Sequence, residues 1–102
     1  MTANTLRGEA SFVISGGART LRPTFTALVA AEEELGSLFA LVERAGSGQL
    51  RLAELAALFW HCLADHGALT REQVGEAVAA NGLAAAAQPL RVLLQQILQG
   101  RV

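Results

Sequence analysis

The alternation of apolar and polar positions near the start of the chain predicts a β-hairpin. Side chains alternate between residues 9 and 14, as they do in a strand that buries one face. A Gly-Gly pair then supplies the positive φ values of a tight turn, and the chain returns as a second strand that Pro23 ends. We predict this hairpin over residues 8–22. The side chains expected to face the core are Ala10, Phe12 and Ile14.

Apolar residues recur at helical spacing after the hairpin and predict four to five short helices over 24–99. Thr24 and Ser37 are predicted N-caps, and Thr70 opens a capping box. The strongest pattern runs from Arg51 to His66. Its expected buried face consists of Leu52, Leu55, Ala56, Phe59, Cys62, Leu63 and His66.

Three residues help to define the first and the last of the predicted helices. Phe25 opens the apolar stripe of the first helix, and Glu32 interrupts that stripe. Pro89 is predicted in the first turn of the last helix, where its missing N–H costs nothing. The expected buried face of that helix is Leu90, Leu93, Leu94 and Ile97. The predicted fold is mainly α, or α+β by strict count: one domain over 1–102, with a hairpin and a small helical bundle.

The composition narrows the class of protein. Hydrophobic residues make up 52% of the 102 positions, charged residues 17%, and the formal net charge is −1. This excludes a disordered tail and disfavours a nucleic-acid binder, which needs positive charge. There is no secretory h-region and no apolar run of membrane-spanning length, so we expect a cytoplasmic protein without a membrane partner.

Candidate chemistry is sparse. Cys62 and His66 stand four residues apart, which permits a Cys–His dyad, but the same face is the predicted core. His61 and Asp65 form a second such pair on the polar face. The chain holds three Cys or His residues in all, fewer than a structural zinc site needs. We therefore predict no catalytic residue, no metal, no cofactor and no enzymatic activity.

Three features suit a binding protein better. Trp60 lies at the edge of its helix's apolar stripe, where it closes the core or contacts a partner. Glu32 needs a partner, either an arginine or the N–H groups at the start of the helix after Ser37. The hairpin edge could accept a strand from another chain.

The order of these segments resembles the small tail-assembly chaperones of gene transfer agents, the phage-like particles of alphaproteobacteria. The resemblance covers nearly the whole chain. It rests on Asn4-Thr-Leu-Arg-Gly-Glu9, Leu21-Arg-Pro-Thr-Phe-Thr-Ala-Leu28, Glu32-Glu-Glu-Leu-Gly36 and Leu69-Thr-Arg-Glu-Gln-Val74. Trp60-His-Cys62 and Pro89 depart from the family's pattern.

The resemblance implies a non-enzymatic chaperone that binds the tape measure protein and keeps it soluble, with the tail tube protein as a possible further partner. We expect a groove for an amphipathic helix, bordered by Phe59, Trp60, Leu63, Leu93 and Ile97. The alternatives are a structural tail or connector component that stays in the particle and, least favoured, a small DNA-binding regulator. The apolar excess also suggests a homo-oligomer.

Overall fold

The computed structural model describes residues 9–100, which form a two-stranded antiparallel sheet followed by five helices. The mainly α architecture is therefore confirmed. The strands are β1 (Ala10–Ile14) and β2 (Gly17–Leu21), and the helices are α1 (Phe25–Leu35), α2 (Leu38–Gly46), α3 (Leu52–Cys62), α4 (Arg71–Asn81) and α5 (Leu83–Gln99). Residues 1–8, with the start of the resemblance, lie outside the described residues.

The hairpin turn uses Ser15 and Gly16 rather than the predicted Gly-Gly pair. Both have positive φ values, 53° and 80°, which is the pattern of a type I′ turn. Gly17 instead pairs with Ile14 as the first residue of β2. The resulting register places the predicted inward side chains of β1 in the core, as the alternation requires.

The third helix is shorter than predicted because β2 captures the residues that follow it. Leu63 is extended and forms an antiparallel bridge with Leu21. Ala64 N–H donates to Thr20 O at 2.9 Å and not to the carbonyl of Trp60 four residues earlier, as it would in a helix. The segment after Cys62 thus forms an isolated bridge and occupies part of the outer edge of β2.

The buried face of the first helix is rotated from the predicted stripe, although Leu28 and Leu35 of that stripe do pack, partly buried, against the core. Ala27 and Ala31 are its buried residues, whereas Phe25 is 84% exposed and Glu32 is exposed. The two alanines let α1 lie close to α3. Phe25 and Glu32 are seven residues apart, so this choice of face moves both of them outward together.

The last helix begins earlier than predicted. Gly82, with φ 88°, ends α4, and α5 starts at Leu83 after a bend of 117°. Pro89 consequently lies inside α5 and not in its first turn. Its missing N–H removes one helical hydrogen bond, while its ring is buried against the core.

Side-chain caps begin three of the helices as predicted. Thr24 Oγ1, Ser37 Oγ and Thr70 Oγ1 each accept the N–H three residues later. Thr70 completes its capping box, since Gln73 Oε1 accepts the Thr70 N–H at 2.8 Å. These bonds satisfy N–H groups that have no partner within a helix.

Phe59 lies at the centre of the core. It is fully buried, and its ring meets that of Phe12 edge to face with centroids 5.2 Å apart. This contact joins α3 to the inward face of β1. Around it pack the buried residues Ile14, Leu21, Leu41, Leu58, Val74, Val78 and Leu93.

Within residues 9–100 no single helix is long and apolar enough to cross a membrane. Only α4 and α5 taken together reach that length and hydropathy, and they are sharply bent against each other.

Candidate interaction surface

The Cys62–His66 dyad does not form. Since α3 ends at Cys62, His66 lies beyond the helix, where its Nε2 is 2.8 Å from Trp60 O and its ring centroid is 4.2 Å from that of Trp60. Burial raises the pKa of the Cys62 thiol to about 12, so the reactive thiolate is not populated near neutral pH. Among the described residues no group of three His, Cys, Asp or Glu side chains could hold a metal ion.

His61 pairs with Glu34 of α1 rather than with Asp65. Arg71 of α4 donates to both carboxylate oxygens of Glu34 at 2.6 and 2.7 Å, and His61 Nε2 lies 2.8 Å from Glu34 Oε1. The hydrogen bond from Arg71, followed by that from His61, lowers the pKa of Glu34 to about 2. Asp65 instead accepts the Gly67 N–H at 3.0 Å. The cluster joins α1, α3 and α4.

A second ion pair joins α2 to α3. Arg44 Nη1 donates to Glu54 Oε1 at 2.7 Å, and the same oxygen accepts the Arg51 N–H at 3.0 Å. These bonds, the one from Arg44 first, lower the pKa of Glu54 to about 2. No sequence pattern indicates either pairing, because the partners are separated by at least ten residues and come from different helices.

Glu32 takes the second of its two predicted partners. Its Oε2 accepts the Leu38 N–H at 3.1 Å, at the start of α2. The carboxylate therefore satisfies a helix N-terminus from outside the helix. It does so on the surface and not on the buried face that the predicted stripe implied.

The five residues that were predicted to border a groove differ in their burial. Phe59, Leu63 and Leu93 are buried in the core of the chain itself, so their side chains offer little surface in this structure. Trp60 and Ile97 are half-buried. The role of these five residues in partner binding stays a prediction.

The exposed apolar side chains lie elsewhere. Among the described residues the large ones are Val13, Phe25, Phe39, Leu52, Leu83 and Leu98. Phe39 is 78% exposed and lies off the helical stripe of Leu38, Leu41 and Val42, a position from which the sequence already indicates exposure. Leu98 is 57% exposed near the end of α5.

An open groove of about 370 Å³ separates α2 from α5. Its lining residues are Val42, Ala45, Gly46, Ala87, Leu90, Arg91, Leu94 and Leu98. We call this groove, with Phe39 and Glu43 on the outer side of α2, the α2–α5 face. The lining residues of the groove are apolar apart from Arg91, and Glu43 adds a carboxylate on the exposed surface of α2.

The hairpin edge is partly occupied within the chain. Residues 62–64 cover β2, and on β1 the Val13 carbonyl accepts a hydrogen bond from Asn81 Nδ2 at 3.0 Å. Asn81 also bonds Ala77 O, which fixes its side chain at the end of α4. These bonds shorten the edge that was expected to accept a strand from another chain.

Fold and surface together define a small helical protein with an open apolar groove between α2 and α5 and, among its described residues, no group of side chains that could hold a metal ion. The chain matches the model of a protein family described as "Phage tail tube protein, GTA-gp10" over residues 7–100, and it belongs to that family. This confirms the relation to gene transfer agents and phage tails. The family is one of structural tail proteins, in agreement with the predicted absence of enzymatic activity, and its description does not support the chaperone reading.

No curated protein and no solved structure matches the chain.

Proposed function

We propose that the protein is a structural component of a phage-like tail and remains in the finished particle. The observation that carries this proposal is the family match, which spans nearly the whole described chain and names a tail tube protein. The geometry supports it, since ion pairs between helices stabilise the fold while large apolar side chains remain exposed for contacts with other subunits.

The proposal places synthesis and assembly of the protein in the cytoplasm of the cell that produces the particles. Its partners are then other tail proteins, with no role for a nucleic acid or a membrane. The near-neutral net charge of −1 supports this choice of partners, because binding to phosphate backbones depends on an excess of positive charge.

The composition of purified particles tests this proposal. Quantitative mass spectrometry should find the protein in finished particles at a fixed ratio to the major tail proteins, as expected of a ring component. An abundant cytosolic protein of the same cells serves as the contamination control. Presence in producing cells together with depletion from particles would contradict a structural role.

A tail assembly chaperone is the second candidate, and the open α2–α5 groove favours it, since two helices with an apolar cleft can hold an amphipathic partner helix. Here the partner is the tape measure protein. Co-expression should raise the soluble yield of that protein, and a folded Trp60→Ala variant tests whether Trp60 is a contact. Unchanged solubility with the wild-type chain would remove this candidate.

A further inference from the structure

The α2–α5 face carries one exposed apolar side chain and one exposed charge on each of its two helices. On α2, Phe39 and Glu43 are four residues apart and therefore lie on the same side. On α5, Arg91 and Leu98 are seven residues apart and likewise share a side. The α2–α5 face thus has an acidic border on α2, where Glu43 is exposed outside the groove's lining, and a basic border on α5, where Arg91 lines the groove.

These two charges do not neutralise each other within the chain. In residues 9–100 neither Glu43 nor Arg91 forms an ion pair, and the Arg91 guanidinium donates to Gln88 Oε1 at 3.1 Å. The neighbouring Arg44 is already bound by Glu54. The carboxylate of Glu43 and the guanidinium of Arg91 are therefore available to a partner.

We propose that this face pairs with the same face of a second copy of the chain, in a two-fold symmetric dimer. A two-fold axis makes every contact occur twice, with residue i against j and j against i. A face with an acidic border and a basic border is complementary to itself under that rotation. Glu43 of each copy then lies opposite Arg91 of the other, and Phe39 enters the partner's groove.

Another apolar groove among the described residues shows why the charges favour this face. The groove between α3 and α4 is bordered by Glu72 and Glu76 and has no basic residue among its lining residues. Two copies of that groove would place like charges together, which disfavours their association. The α2–α5 face carries charges of both signs, so the pairing of two copies of it has no such penalty.

Sedimentation equilibrium of the purified chain tests the dimer over about a hundredfold range of concentration, at low ionic strength where charge pairs are least screened. We expect a monomer–dimer equilibrium. Glu43→Arg makes both borders basic, and Arg91→Glu makes both acidic. Each single variant should raise the dimer Kd by about tenfold or more, because two attractive pairs become repulsive.

The experiment that best discriminates a specific charge pairing from a general change in charge mixes the two single variants. Each copy of one variant then meets complementary charges on the other, so the mixture should form a heterodimer although each variant alone is monomeric. The double variant E43R/R91E should dimerise again for the same reason. Phe39→Ala should weaken the dimer without changing any charge. Glu33→Arg, on an exposed residue of α1, is the matched control and should leave the Kd unchanged.

The outcomes separate this inference from the proposed function. A chain that stays monomeric at every concentration overturns the dimer, and so does an oligomer whose Kd neither charge reversal changes. A wild-type monomer that binds an added tape measure helix through Phe39 overturns it in favour of a foreign occupant. None of these results alters the composition of the particle, which tests the tail assignment independently.

Discussion

Replacement of Phe59 by alanine distinguishes a core residue from a partner contact. The sequence places Phe59 on a binding groove, whereas the structure buries it fully and sets its ring 5.2 Å from that of Phe12. Loss of a buried phenylalanine costs about 3–5 kcal/mol through lost apolar transfer and the residual cavity. The lost edge-to-face ring contact with Phe12 is part of that sum.

This loss is large against the whole stability of the chain, because a domain of this size has about 5–15 kcal/mol in total. With a urea m-value of about 1.5 kcal/mol per molar, the unfolding midpoint should fall by roughly 2–3 M. Far-UV circular dichroism is the appropriate signal, since it reports all five helices. Phe59→Leu retains part of the volume and should lose only about 1–2 kcal/mol, which keeps the experiment informative if the alanine variant does not fold.

Phe25→Ala is the matched control, because it removes the same side chain from a position that is 84% exposed. Its free energy of unfolding should stay within about 0.5 kcal/mol of the wild type. If Phe59→Ala lost less than about 1 kcal/mol, or no more than the control, Phe59 would not be a core residue. The reasoning from burial would then fail.

Three further predictions concern ion pairs, the thiol and a helix cap. The pKa values of Glu34 and Glu54 are lowered to about 2, so their stabilisation is complete above the ordinary value near 4.5 and is lost as the pH falls toward 2. Urea midpoints should drop over that range, and less so in Glu34→Gln and Glu54→Gln; equal drops in wild type and variants would contradict the assignment. Cys62 should react with a thiol reagent only after unfolding, and rapid labelling of the native chain would show that it is not buried. Thr70→Ala should lower the free energy of unfolding by about 1 kcal/mol, with Thr70→Ser as the control that keeps the cap; an unchanged midpoint would exclude a stabilising capping box.

The candidate surface shows where sequence reasoning reached its limit. The helical spacing on α3 correctly marks Phe59 as apolar and inward, but periodicity cannot say whether that face meets the chain's own core or another protein. The same spacing places Leu93 of α5 on an apolar face, and the structure buries it as well. In a chain this rich in leucine and alanine, the side chains left outside become evident only when the helices are packed together.

Local rules account for what the sequence determined by itself. Alternation placed β1 and its inward residues, and hydrogen bonds within a few residues fixed the caps at Thr24, Ser37 and Thr70. Order and spacing along the whole chain carried the relation to gene transfer agents, which the family match confirms. All these features depend on interactions between residues close in sequence or on the sequence order itself.

Only the tertiary structure decided where α3 ends, which face α1 buries and which charged residues pair. These three features depend on contacts between residues that are distant in sequence. The bridge from Leu21 ends α3 four residues early, and two small alanines turn α1 so that Phe25 faces outward. The bonds of Glu34 to Arg71 span 37 positions, a separation at which no periodicity operates. The same packing leaves a groove between α2 and α5 that Arg91 lines, with Glu43 exposed on α2 outside its lining.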